Sequence, residues 1–126
     1  MSARVISIIL GIVFIAAGIL GFVPGQKIVA AEDAIFRVDF NHNLVHLASG
    51  ILLLILPSIM GGKQTLLLVG VVYAAVAVLG FLHPTDAWLI SGQIAMNDAD
   101  RYLHAALAAI LLLAGIVFSN HSHADA

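Results

Sequence analysis

"NHNLVHLASGILLL", residues 41–54, carries two histidines four positions apart and then runs into unbroken hydrocarbon. Residues four apart share a helix face, so His42 and His46 are expected on one face at the mouth of an apolar helix. A second stretch, "DADRYLHAALAAILLL", residues 98–113, repeats the pattern with Asp100 and His104. The segments before these two also match. "ILGFVPG", residues 19–25, ends one apolar run, and "VLGFLHP", residues 78–84, ends another. Gly21-Phe22 precedes His46 by almost the distance at which Gly80-Phe81 precedes His104. Self-similarity of this kind marks a duplicated unit, here a helical hairpin. Two crossings per half leave both halves in one orientation. A pseudo-two-fold axis along the membrane normal follows, with His46 and His104 meeting near it at equal depth.

The rest of the chain supports membrane spans. Of 126 residues, 62% are hydrophobic and 10% charged, against about a quarter charged in soluble domains. Four apolar segments, about residues 5–23, 44–60, 65–82 and 102–118, approach the ~20 residues that cross a bilayer as a helix. No strict alternation suggests barrel strands. The first segment, after Arg4, exceeds the ~7–15 apolar residues of a signal peptide and lacks an A-x-A-like site, so it reads as a retained span. The expected fold is all-α: an integral membrane four-helix bundle of two repeated hairpins, one transmembrane domain over residues 1–126.

Only "GGKQ" separates the second and third spans, whereas the other two connections are long. Both termini are therefore expected on one side with the tight turn, and both long loops on the other. Six of the seven acids, Glu32, Asp33, Asp39, Asp86, Asp98 and Asp100, lie in or beside those loops. Loop one suggests a short interfacial helix around "AAEDAIFRVDF", with Ile35, Phe36 and Phe40 toward lipid. Trp88 suits a headgroup-level anchor. Lys and Arg are nearly balanced between the sides, which leaves orientation open. Gly11, Gly18 and Gly21 form a close-approach stripe, and Ala105 with Ala109 a small-xxx-small pair. Pro57, near the end of span two, is tolerable or gives a slight kink.

Much function is excluded. A net charge of -2 with no basic face argues against nucleic acid. The absence of cysteine removes disulfides, thiolate metal sites, iron–sulfur clusters, covalent CxxCH haem and cysteine nucleophiles. No G-x-S-x-G, P-loop, GxGxxG or HExxH motif occurs, so an enzyme would have to be built from the mouth histidines and acids alone.

Those mouth residues admit three readings. Asn41 or Asn43 is expected to cap span two, and Asn97 or Asp98 span four, with Asn97 and Asp100 resembling a capping box. In the first reading His46 and His104 bridge helices, to a carbonyl, Asn43 or Ser49. Asn41, Asn43, His46, Asn97, Asp100 and His104 then form a structural polar layer with no cofactor, because a lone histidine per helix is more often structural than a ligand. In the second, His42, His46, His83 and His104 bind Zn or Cu, with Asp98 and Asp100 completing the site or Asp100 orienting His104. In the third, His46 and His104 are axial ligands of haem b. The pair His121 and His123 reads as a solvated tail.

At these residues the sequence resembles a bacterial family. "GIVFIAAGILGFVPG", "HNLVHLASGILLL" and "MNDADRYLHAALAAILLL" are similar to the three signatures of the uncharacterised domain-of-unknown-function family 4383, and the likeness covers nearly the whole chain. The resemblance implies a four-span bacterial membrane protein with no established activity. It marks His42, Asn43, His46, Asn97, Asp98, Asp100 and His104 as motif positions and assigns them no role. Arg101 stands where the family tends to have Asn, and is expected to pair with an acid such as Asp39 or to snorkel to headgroups. The leading expectation is a non-enzymatic structural or accessory subunit of a bacterial cytoplasmic membrane. It would act in the lipid bilayer, with a homo-oligomer or another membrane protein as partner. A metal- or haem-binding protein with a redox or sensing role comes second. An oligomeric transporter is third.

Overall fold

The computed structural model describes residues 1–30, 34–82, 88–89, 94–95 and 97–120. Along the chain run α1 (Ala3–Leu20), β1 (Val29–Ala30), β2 (Phe36–Arg37), α2 (Phe40–Ile55), α3 (Pro57–Met60), α4 (Gly62–Leu82), β3 (Trp88–Leu89), β4 (Ile94–Ala95) and α5 (Asp98–Val117). Four helical segments are long and apolar enough to cross a membrane, α2 and α3 counting as one from Phe40 to Met60. The protein is an all-α, multi-pass membrane bundle.

Its closest packing is within hairpins, α1 along α2 and α4 along α5. Lipid tails provide no hydrophobic drive between helices, so close approach requires small residues. A Cβ on Gly50 would lie 2.7 Å from the Gly11 carbonyl oxygen, and one on Gly11 would lie 2.9 Å from that of Gly50. In the second hairpin, Gly70 and Gly115 bring the backbones together against Leu112 and Leu67. The expected Ala105–Ala109 pair is not the contact. Ala109 is exposed, and the buried small residues of α5 are Ala108, Ala114 and Gly115. Gly11, Gly18 and Gly21 do meet neighbours, at Gly50, Leu47 and Asn43.

The α2–α3 junction has a specific cause. Pro57 lacks the N–H that would donate to the Leu53 carbonyl one turn back. Ser7 of α1, fully buried, donates its hydroxyl to that oxygen at 2.7 Å. The bond satisfies a backbone acceptor that has no water to turn to and sets the register of α1 on α2. Gly61, at φ 95°, then reverses the chain into α4. Lys63 Nζ donates to the Gly115 and Ile116 carbonyls at 2.6 and 3.1 Å, a cation at the negative end of α5. The Ala3 N–H donates to Ser119 O at 2.9 Å, tying the start of α1 to the end of α5.

Before α2, the described residues of loop one form no interfacial helix. Val29–Ala30 and Phe36–Arg37 pair in parallel. Gln26 ties down the chain that enters this pairing: its Oε1 accepts from the Ile28 and Val29 N–H groups at 2.8 and 2.9 Å, and its Nε2 donates to Leu20 O at 3.1 Å and to Val29 O. Ile35 and Phe40 are exposed as expected, whereas Phe36 is half-buried. Trp88 and Leu89 pair antiparallel with Ile94 and Ala95.

Ser7→Ala is expected to leave the Leu53 carbonyl unpaired, at about 1–3 kcal/mol. Adding Pro57→Ala restores an N–H donor in the helix itself, so the double variant should recover much of that loss. Thermal unfolding in detergent checks this. Equal midpoints for Ser7→Ala and wild type would refute it.

Candidate functional site

Helix starts build the site. Asp39 caps α2, its Oδ1 accepting from the His42 N–H at 2.8 Å. The expected caps Asn41 and Asn43 lie inside the helix, because extended backbone at Asp39 places the first turn earlier. Asn41 is exposed, while Asn43 is buried against Gly21. At α5 the expected capping box is present. Asn97 Oδ1 accepts from the Asp100 N–H at 3.0 Å, and Asp100 Oδ2 accepts from the Asn97 N–H at 2.9 Å. Asn97 Nδ2 also donates to Ile35 O at 3.1 Å, joining loop one to the start of α5.

Starting α2 at Phe40 places His42 within its first turn, so His42 and His46 share the inward face. His104 meets them from α5. The ring centroids lie 4.9 Å apart for His42–His46, 5.3 Å for His42–His104 and 6.1 Å for His46–His104. Relative exposures are 2%, 8% and 3%. One nitrogen from each ring lies within 4.8 Å of one from each of the others. Buried ring nitrogens ordinarily find partners, yet His46 Nε2 and His104 Nδ1 have no hydrogen-bond partner among the described residues.

The remaining expected residues fall differently. Asp98 is 84% exposed and pairs with Arg101 at 2.5 Å, away from the convergent imidazoles. Asp100 is buried and held by the capping box. His83 lies outside the described residues, as do His121 and His123. Arg101 does not snorkel. It is buried, and its Nε donates to Gly80 O at 2.8 Å. That carbonyl sits in the last turn of α4, where helical donors run out, and residue 84 is a proline with no N–H to offer. Sequence reasoning did not single out Phe14 and Tyr73. Phe14 packs on His46 at 5.8 Å, Tyr73 on His104 at 5.9 Å, and the two on each other at 5.1 Å. A signal was present in the sequence, since Phe14 precedes Gly21 by the same seven residues that separate Tyr73 from Gly80.

A family model described as Domain of unknown function (DUF4383) matches residues 4–117. The chain belongs to that family. The match takes in all four long helices except the first residue of α1, and every residue of the histidine cluster. No curated protein and no solved structure matches the chain. The family carries no assigned activity, so any role must be argued from the cluster.

Arg101→Leu is expected to destabilise the bundle by about 1–3 kcal/mol, because the Gly80 carbonyl loses its donor. Arg101→Lys should not restore full stability, since a lysine cannot reproduce a guanidinium that bonds Gly80 and Asp98 at once. Asp98→Ala should cost far less, its carboxylate being solvated. Three thermal midpoints decide this, and equal losses at Arg101 and Asp98 would refute it.

Proposed function

We propose that this membrane protein is a non-enzymatic binder of a transition-metal ion, Zn²⁺ or copper, held by His42, His46 and His104. One observation carries the reading: three buried imidazoles converge from two helices while two of their ring nitrogens lack any hydrogen-bond partner among the described residues. Neutral imidazole suits both ions. Zn–N bonds of about 2.1 Å in tetrahedral geometry set nitrogens about 3.4 Å apart, so small rotations of the rings would close the site. Three protein ligands leave one position open. Asp98 is left out of this set, and His83 is not needed for it. A haem suits the trio less well. His42 stands against both other rings, where a macrocycle between axial ligands would have to pass.

The duplicated architecture belongs to this proposal. Every buried position of α1 has a buried counterpart in α4 at one constant offset: Ala3 with Gly62, Ser7 with Leu66, Gly11 with Gly70, Phe14 with Tyr73, Gly18 with Ala77. Likewise His42 matches Asp100, Asn43 matches Arg101, His46 matches His104, Gly50 matches Ala108 and Leu53 matches Leu111. Asn43 packs on Gly21 as Arg101 packs on Gly80. The caps Asp39 and Asn97 stand at the same offset. Two halves related in this way bring His46 and His104 together, and His42 makes the pair a trio. We take residues 1–126 as one transmembrane domain, in a bacterial cytoplasmic membrane, with both termini on one side.

The second reading is a purely structural polar layer. Bonds between helices, such as Tyr73 OH to Ser49 Oγ at 2.8 Å, favour it. The two are separated by metal titration. Protein purified without a histidine tag, with His121→Ser and His123→Ser to silence the tail, is titrated with Zn²⁺ and with Co²⁺ as a coloured probe. The expected result is one ion per chain and a tetrahedral Co²⁺ spectrum, both lost in His46→Gln and His104→Gln and kept in Asp98→Asn. Excess Zn²⁺ at about a hundredfold its Kd should stabilise the fold by about 2.7 kcal/mol. Folded protein that takes up no ion would overturn the metal reading and leave the structural one.

A further inference from the structure

The three imidazoles stand around one point. Their centroid separations of 4.9, 5.3 and 6.1 Å form an acute triangle. The point equidistant from its corners lies about 3.2 Å from each, which matches a metal–nitrogen bond of ~2.1 Å plus the ~1.1 Å from a ring nitrogen to its centroid. An ion bonded to all three rings therefore sits close to the plane of the centroids. That arrangement is trigonal, whereas a tetrahedral ion stands off such a plane toward its fourth ligand. A fourth ligand has no source among the described residues. The convergent donors are His42, His46 and His104, with no carboxylate in the group. The neighbouring acids serve elsewhere: Asp39 caps α2, Asp100 closes the capping box of α5, and Asp98 turns to solvent beside Arg101. Water is equally ill placed. His46 Nε2 and His104 Nδ1 are buried, Phe14 and Tyr73 pack on their rings, and the cavity lined by Phe14 and His46 has an apolar surface. A bound water needs polar partners, and cavities without them stay dry. Charge points the same way. The cost of moving an ion from water into a medium of low dielectric grows with the square of its charge. Asp39 and Asp100 stand at helix starts, whose positive ends offset them, and the buried Arg101 follows Asp100. A divalent ion on the trio would keep nearly all of its charge.

We propose, on the footing of the metal reading, that the trio selects Cu⁺ over Zn²⁺ and holds it as a three-coordinate ion. Zn²⁺ is almost always four-coordinate in proteins, and where three side chains bind it a water or other ligand fills the fourth place. Cu²⁺ prefers a tetragonal set of nitrogen and oxygen ligands. Cu⁺ has a filled d shell, is satisfied by three nitrogens and carries half the charge of either. Zn²⁺ and Co²⁺ complete a tetrahedron on this site only with a ligand drawn from solution, and bind more weakly for that reason. Phe14 is the specificity-determining residue, because its ring occupies the side of His46 from which a fourth donor would approach.

The full chain carrying His121→Ser and His123→Ser is loaded anaerobically with Cu⁺ under ascorbate, with bathocuproine disulfonate as the competing chelator. It is then challenged with Zn²⁺. The expected result is one Cu⁺ per chain, three nitrogen neighbours by X-ray absorption, and retention of Cu⁺ against about a hundredfold excess of Zn²⁺. Phe14→His adds a fourth imidazole donor beside His46. It should lower the Zn²⁺ excess needed for displacement by about tenfold or more. Phe14→Leu removes the ring without adding a donor and should keep the preference for Cu⁺. Displacement of Cu⁺ from the parent chain by an equal concentration of Zn²⁺ would overturn the proposal and leave the metal reading in place. A four-coordinate spectrum of the copper form, or an unchanged preference in folded Phe14→His, would do the same. Uptake of neither ion removes both. Should Phe14→His fail to fold, the competition and the spectrum of the parent chain decide.

Discussion

A backbone carbonyl inside a bilayer has only protein to bond to, and in this bundle two such carbonyls govern how the helices dock. Leu53 loses its helical donor to Pro57 and receives the Ser7 hydroxyl instead. Gly80, in the last turn of α4, receives the Arg101 guanidinium. Each bond joins the two helices of one hairpin at one register. Sliding either helix by a residue would leave an acceptor unpaired in hydrocarbon, a far larger penalty than the loss of a few apolar contacts that lipid replaces equally well. The glycines then allow the backbones to come as close as these bonds require.

Against that background the histidine cluster is the exception. Other polar side chains of the buried layer find partners: Ser7 on Leu53, Tyr73 on Ser49, Asp100 in the capping box, Arg101 on Gly80 and Asp98. His46 Nε2 and His104 Nδ1 do not among the described residues. These two nitrogens, on rings packed against Phe14 and Tyr73, are the observation on which the proposed metal site rests. The two seams between the hairpins differ as well: Tyr73 bonds Ser49 across α2 and α4, whereas a cavity with an apolar surface lies between α1 and α5.

Much of the site was legible in the sequence, for physical reasons that can be traced. The hydrocarbon runs follow from bilayer thickness, and His46 and His104 are matched by their place in similar segments. The Asn97–Asp100 box follows from a spacing that lets two side chains reach two free N–H groups. The α2 cap was misplaced because Asn41, Asn43 and Asp39 are all good caps, and only the extended backbone at Asp39 separates them. Loop one was expected to be helical around residues 30–40, but Phe36 and Val38 give their N–H groups to Ile28 O and Ala30 O in a strand pairing instead of to a helix. Ala105 and Ala109 had the right spacing on the wrong face, since periodicity gives a stripe without saying which neighbour it meets. Arg101 looked like a surface charge until the Gly80 carbonyl accounted for its burial.

The sequence by itself determined that the chain crosses a membrane, where it turns, and which residue types stand at the helix mouths. Those properties depend on length, hydropathy and short-range spacing, which a linear string contains. Only the tertiary structure decided that His42 joins His46 and His104, that Asp98 turns to solvent, and that one seam is closed while the other holds a cavity. Each depends on how far one hairpin is rotated about its axis relative to the other. That angle is set by the summed packing of Phe14, Tyr73, Leu53 and Leu111 in the shared core, contacts between residues far apart in sequence that no local pattern specifies.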